Sequence, residues 1–224
     1  MSTASDSLIG GAAIPGESVN RWTHALGFVM SLPAAYGLWL ACEGHQPAVV
    51  LAFGIYCAAL VLLYAASALS HSFEERPRLR RIFRTADQVC IYLMIAGTFT
   101  PFAAAYLRTP LGLAQLAAMW LLAACGIILR IRQRGGYIGK SDVALCLATG
   151  YIPLLSVAKL YSVGGPAGIC LVLAGGVFYT AGTFFLLNDH RHPYWHGIWH
   201  LAALGGTACH YLFLLDYVAA GSHV

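Results

Sequence analysis

Charge is what this chain has least of. Asp, Glu, Lys and Arg together make 10% of its 224 residues, against about 25% in soluble domains. That scarcity excludes an ordinary soluble domain. It also removes nucleic acid from the reading of the net charge of +4, which belongs to loops between membrane segments. Paired cysteines are missing too. Cys42, Cys57, Cys90, Cys125, Cys146, Cys170 and Cys209 stand singly in apolar runs. Without C-x-x-C spacing they read as small buried hydrophobes rather than a disulfide framework. Residues 1–20 contain Asp6 and Glu17, with no basic start and no apolar stretch of signal length. No cleaved leader is therefore expected, and the first membrane segment is expected to direct insertion. There is no strong internal repeat and no sign of a second domain.

What the chain does have is apolar sequence, 59% of it. Runs long enough to cross about 30 Å of hydrocarbon recur throughout. Breaks at EGHQP (43–47), SFEERPRLRRIFRTA (72–86), LRTP (107–110), RIRQRGGYIGKSD (130–142), YSVGGP (161–166) and NDHRHP (188–193) separate seven expected spans. They run over about 22–42, 48–71, 88–107, 111–129, 143–162, 166–187 and 195–218. The expected fold is an all-α integral membrane protein, a seven-transmembrane helix bundle over 22–218. A short N-terminal segment (1–21) and a C-terminal tail (219–224) flank it. Pro33 and Pro153 fall inside spans and are expected to kink them. Glycines such as those of AGGVF suit close helix packing.

Basic residues give a direction. With the N-terminus inside, every Lys and Arg except Arg108 and Lys159 falls on the inner face. The positive-inside rule then predicts a cytoplasmic N-terminus and an external C-terminus. Trp22, Tyr194 and Trp195 fall where an inner aromatic belt is expected. The arginine-rich loops read as orientation signals that meet lipid headgroups.

Ionisable residues inside spans are costly and face the bundle interior. Here they are His24, His71, Asp87, His196, His200, His210 and Asp216. The expected topology brings His24, His71, Asp87, His196 and His200 to one depth at the inner face. His196 and His200 are at i and i+4, one turn apart on one helix face. Two imidazoles so spaced can bind one metal, and His71 from another segment completes three protein ligands of a catalytic zinc, with a fourth position open. Asp87 is expected to hold the zinc-bound water or to be a fourth ligand. Ser67, one turn from His71, is expected to hydrogen-bond near the metal or a substrate carbonyl. The plainer alternative is interhelical hydrogen bonding or a proton relay. His210, about 15 Å further along the helix, reads as a satisfied core histidine. His24 is open between support for the site and simple interface placement. His190 and His192 read as solvated.

The blocks GESVNRWTHALG (16–27), SALSHSF (67–73), DQVCIYLMIAGTFTPF (87–102) and HGIWHLAALGGTACH (196–210) resemble those of the haemolysin III family, part of the progestin and adipoQ receptor superfamily that includes the adiponectin receptors. The resemblance covers nearly the whole chain. It implies a zinc ion held by His71, His196 and His200, with Asp87 near the metal-bound water and Ser67 near the site. It also implies a zinc-hydrolase-like site, with lipid amides such as ceramide as the substrate class. Many members carry Tyr-His and Asp-His where this chain has Ser70-His71 and Asp87-Gln88, so local hydrogen bonding is expected to differ. The long N-terminal region of the animal receptors is missing from the sequence, and a hormone-receptor role is not expected.

Two functions are thus expected. One is a membrane-embedded zinc-dependent hydrolase of lipid amides. The other is a non-enzymatic protein with structural zinc that permeabilises membranes or maintains their properties. Both place the chain in the cell membrane among lipids, the inner membrane if the source is bacterial, and neither involves nucleic acid.

Overall fold

The structure is a computed structural model that describes residues 16–73 and 75–221. Helices account for nearly all of it, and no strand occurs among the described residues. The helices are α1 (Glu17–Ala41), α2 (Pro47–Ser70), α3 (Pro77–Tyr106), α4 (Pro110–Gln133), α5 (Lys140–Tyr151), α6 (Val157–Leu187) and α7 (Trp195–Phe213). A 3₁₀ turn (Ile152–Ser156) joins α5 to α6, and a π-helical turn (Leu214–Ala219) extends α7. Starts are set by local chemistry. Pro47, Pro77 and Pro110 each open a helix, at the position where a missing N–H costs nothing. The Thr109 side chain accepts a hydrogen bond from Gly112 N–H at the start of α4.

Burial is inverted relative to a water-soluble protein. Large apolar side chains such as Leu62, Leu121 and Val177 face outward, while Glu17, Asn20, His71, Gln88, Arg130 and His200 are buried. Apolar surface on that scale is stable only against hydrocarbon. Among the described residues, six continuous helical stretches are long and apolar enough to cross a membrane, and the chain is a multi-pass membrane protein.

Six stretches rather than the expected seven arise because residues 140–187 run on without a coil break. Within them the backbone leaves helical geometry at Gly165 (φ 59°, ψ −162°), just before Pro166. A left-handed φ favours glycine, and Pro166 supplies no N–H to continue the helix. The chain doubles back there. Tyr151 Oη lies 2.6 Å from Thr180 Oγ1, and these residues stand almost symmetrically about Gly165. YSVGGP therefore marks a reversal, as expected, though helix continues on both sides.

Other boundaries moved. The first helix begins at Glu17 rather than 22, and the third at Pro77 rather than 88. The arginine-rich stretch after Pro77 is a polar extension of the third helix, not a loop. The N-terminal segment expected over 1–21 is thus helical from Glu17, and its first 15 residues lie outside the described residues, as do 222–224 of the expected tail. Pro153 falls in the 3₁₀ turn, where the expected break occurs, whereas α1 remains one helix through Pro33.

The half of the bundle around the start of α2 and the end of α3 is apolar and aromatic. Leu38, Phe53, Tyr56, Phe99, Phe102, Met119, Phe213 and Leu214 are fully buried in one cluster. The opposite half is polar and holds a buried ion pair. Arg130, only 1% exposed, places a guanidinium nitrogen 2.9 Å from Asp142 Oδ1, and Asp142 Oδ2 also accepts from Gly139 N–H at the start of α5. This pair ties the end of α4 to the start of α5. Removing one partner strands a buried charge, a loss of about 3–5 kcal/mol. Arg130→Leu is therefore expected to destabilise the protein by that order in detergent unfolding curves. A change below about 1 kcal/mol would show that the pair does not hold the two helices.

Candidate metal centre

The polar half is organised around three imidazoles from two elements. His71 caps the end of α2. His196 and His200 project from the first two turns of α7. Ring centroids are 5.3 Å apart for His71–His196, 5.1 Å for His71–His200 and 4.6 Å for His196–His200. One ligand atom from each lies within 4.8 Å of the others, and this is the only such His/Cys/Asp/Glu group among the described residues that can hold a metal ion.

Each ring is fixed through its Nδ1. His71 Nδ1 is 2.5 Å from Glu17 Oε2. His196 Nδ1 is 3.0 Å from Asp189 Oδ2. His200 Nδ1 is 3.2 Å from Thr23 Oγ1. The first two partners are carboxylates, so the imidazole nitrogen donates. The third needs an argument. Thr23 has a single hydroxyl proton, directed at the Val19 and Asn20 carbonyls, each 2.9 Å away. Its remaining capacity is to accept, so His200 Nδ1–H donates to it. All three rings therefore carry their proton on Nδ1 and leave the Nε2 lone pair for a metal. Orienting partners of this kind are what metal-binding histidines require. The residues fit a metal ion.

The clamp depends on where α1 starts. Gly16 has φ 93°, and a Cβ there would lie 2.0 Å from the Pro193 carbonyl oxygen. A bare glycine in the left-handed region lets the start of α1 lie on the loop that precedes α7. Glu17 is then carried to His71, and one turn and a half later Thr23 to His200. Glu17 also accepts from Arg80 of α3, so its buried carboxylate is balanced by a cation.

Asp87 stands outside the three-histidine group, but its charge acts on His71 and His196. Ser67 is 1% exposed and lies beside Asp87, and its hydroxyl makes no hydrogen bond of ordinary geometry. The five residues singled out in the sequence thus meet in one region. His24, left open there, is buried with its ring centroid 3.7 Å from that of His200, and neither of its nitrogens is hydrogen-bonded. It packs on the His200 ring. His210 is remote from the group, with Nε2 3.1 Å from the Val172 carbonyl oxygen, the satisfied core histidine expected. At the two positions that depart from the family pattern, Ser70 Oγ donates to the Ser67 carbonyl and Gln88 Nε2 to the Gly136 carbonyl. Neither bond goes to a ligand ring.

Sequence reasoning missed Glu17, Thr23 and Asp189. The first two lie within the GESVNRWTHALG block, one and a half turns apart. Asp189 lies in the NDHRHP break, seven residues before His196.

The match to known proteins spans these residues. A family model described as haemolysin-III related matches residues 12–211. "Hemolysin-3" of Bacillus cereus is 38% identical over 203 residues, covering 90% of this chain and 91% of that protein. "Hemolysin-3 homolog" of Bacillus subtilis (strain 168) is 33% identical over 205 residues, covering 91% and 95%. With a multi-pass helical fold, three converging histidines and this extent of match, the chain belongs to the haemolysin-III related family.

Proposed function

We propose that this protein is a membrane-embedded zinc-dependent hydrolase of lipid amides. The observation that carries the reading is that each of the three converging imidazoles meets an oxygen at Nδ1, an arrangement that directs Nε2 to a metal. Three neutral nitrogen ligands suit zinc and leave a coordination position open. Zinc bound there supplies Lewis acidity toward a carbonyl or a water molecule. His71, His196 and His200 hold it, while Glu17, Asp189 and Thr23 fix their orientation. The Asp87 carboxylate accepts a proton from the attacking water and returns it to the leaving amine. The Ser67 hydroxyl, buried beside Asp87, donates to the substrate carbonyl oxygen. A polar site at the ends of outwardly apolar helices suits a substrate whose amide is polar and whose acyl tail stays in lipid.

The name of the two relatives supports a second reading, a membrane-permeabilising protein with structural zinc. The filled aromatic half of the bundle weighs against a pore, since conduction needs a continuous wet path.

The reading includes seven crossings, with residues 140–187 crossing twice about Gly165, and the polar half at the cytoplasmic face. The reversal at Gly165 and the placement of basic residues support it. Cysteines placed in the α2–α3 connection or the α4–α5 loop of intact cells, in a background freed of reactive native thiols, should then resist an impermeant thiol reagent. Ready labelling there, with protection at 43–47, would reverse the orientation.

Metal analysis of purified protein is expected to give one zinc per chain. His200→Ala should remove most of it, His210→Ala none, and Glu17→Gln should weaken affinity about 10–100-fold. Equal zinc in the His200 variant and the parent would sink the assignment.

Asp87→Asn keeps the shape and one acceptor but loses the proton-accepting charge. The variant should retain stoichiometric zinc and lose lipid-amide hydrolysis by about 10²-fold or more, the scale of a general base. If zinc leaves with the charge, Asp87 is a ligand and the metal is structural. If zinc and hydrolysis both persist, the base lies elsewhere.

A further inference from the structure

A second polar feature lies beside the three-histidine group. A cleft of about 480 Å³ opens between the start of α3 and the loop after α4. Four arginines line it, Arg80, Arg81 and Arg84 from α3 and Arg134 from the end of α4, and no lining residue is acidic. Arg80 is held from the far side by Glu17, and the charge of Arg84 acts on Asp87. Among the described residues, Arg81 and Arg134 form no ion pair. Arg80 Nε is buried without a hydrogen-bond partner.

The cleft is a built feature. Arg134 (φ 50°) and Gly135 (φ 71°) are consecutive left-handed residues. A Cβ on Gly135 would lie 2.9 Å from the Arg81 carbonyl oxygen and 3.2 Å from Arg84 Cβ. Glycine therefore allows the loop backbone to lie directly on α3. The Gln88 side chain fastens it there through the Gly136 carbonyl, 3.0 Å away. Arg134 is thereby held opposite the α3 arginines. Four guanidinium groups around one space repel each other, and an anion in it offsets that repulsion. The planar guanidinium fork matches phosphate oxygens two at a time. The positive end of α3, opened by Pro77 on the cleft wall, adds to the attraction.

We propose that this cleft is a phosphate-anion site at the membrane boundary, filled by the headgroup of an anionic phospholipid or by a free phosphate. Basic pockets between helix ends at a membrane surface take such groups. The inference rests on the cleft alone and stands apart from the metal reading. Arg80, through Glu17, and Arg84, through Asp87, bear on both, so both are left intact in the test.

The test uses full-length protein in detergent with equal amounts of phosphatidylglycerol and phosphatidylcholine, with retained lipid read by native mass spectrometry. The parent is expected to keep one phosphatidylglycerol per chain with about tenfold preference. Arg81→Gln/Arg134→Gln should lose that preference while keeping its thermal midpoint and helical content. Arg76→Gln/Arg78→Gln, which removes equal charge from exposed positions outside the cleft, should keep it. A second arm adds millimolar inorganic phosphate. Displacement of the lipid, or protection of the parent but not the cleft variant against heat without lipid, assigns the site to soluble phosphate. A lipid unmoved by phosphate assigns it to the headgroup. Equal retention by parent and cleft variant, with no phosphate protection in either, overturns the proposal, as does equal loss in the control pair. Should the double variant not fold, Arg81→Gln alone is expected to lose about threefold in preference, and no loss overturns the site.

Discussion

Hydrocarbon offers no hydrogen bonds, so a polar group drawn into this bundle is costly unless another meets it. That constraint organises the polar half. Glu17 cannot be buried alone, and it lies between His71 and Arg80. The His200 ring is buried, and its Nδ1 is met by Thr23. Arg130 is the largest fully buried side chain, and it reaches Asp142. The three arrangements cross between α1 and α2, α1 and α7, and α4 and α5. The same bonds that satisfy the groups thus fix the relative placement of helices that apolar packing alone would leave free to slide. Lipid tails are as apolar as leucine and give helices little reason to prefer one register over another.

A consequence concerns the first two turns of α1. Their residues lie outside the three-histidine group, yet Glu17 and Thr23 meet the Nδ1 atoms of two of its rings. A helix that is half exposed to lipid therefore controls the chemistry of α2 and α7 at its end. Gly16 is the hinge of that control, because only a residue without a side chain fits against the Pro193 carbonyl at a left-handed φ. The three-histidine group is in this sense shaped by tertiary placement of α1 as much as by its own residues.

The parts legible in the sequence were those written in spacing and depth. Apolar runs marked the helices, and the positions of His71, Asp87, His196 and His200 along them brought the four to one end. The i, i+4 pair marked one face of α7. Glu17, Thr23 and Asp189 carried no such mark. Glu17 lies where charge is ordinary, at a helix start; Thr23 is a small residue among many; Asp189 sits in a polar break. Their role depends on which helix lies beside which, and helical periodicity gives the face of a residue but not its neighbour. The same limit explains the third helix. Five arginines between 76 and 84 read as a loop because they are hydrophilic, yet most of them continue α3 past the apolar segment into the polar boundary. Hydropathy marks where hydrocarbon begins, not where a helix ends.

That extension of α3 also bears on how the two polar sites relate. Arg80, Arg81 and Arg84 fall within two of its turns, with Asp87 about one turn further in. The helix therefore carries a gradient, cations at the outer turns and a carboxylate at the depth of the imidazoles. Arg80 is the step between them, lining the cleft and holding Glu17 at once. A negative charge entering the cleft would draw on the same guanidinium that balances Glu17, and Glu17 in turn holds the proton on His71 Nδ1. Cleft and centre are thus joined by two consecutive polar contacts, Arg80–Glu17 and Glu17–His71, and charges this close act on each other more strongly where burial lowers the local dielectric.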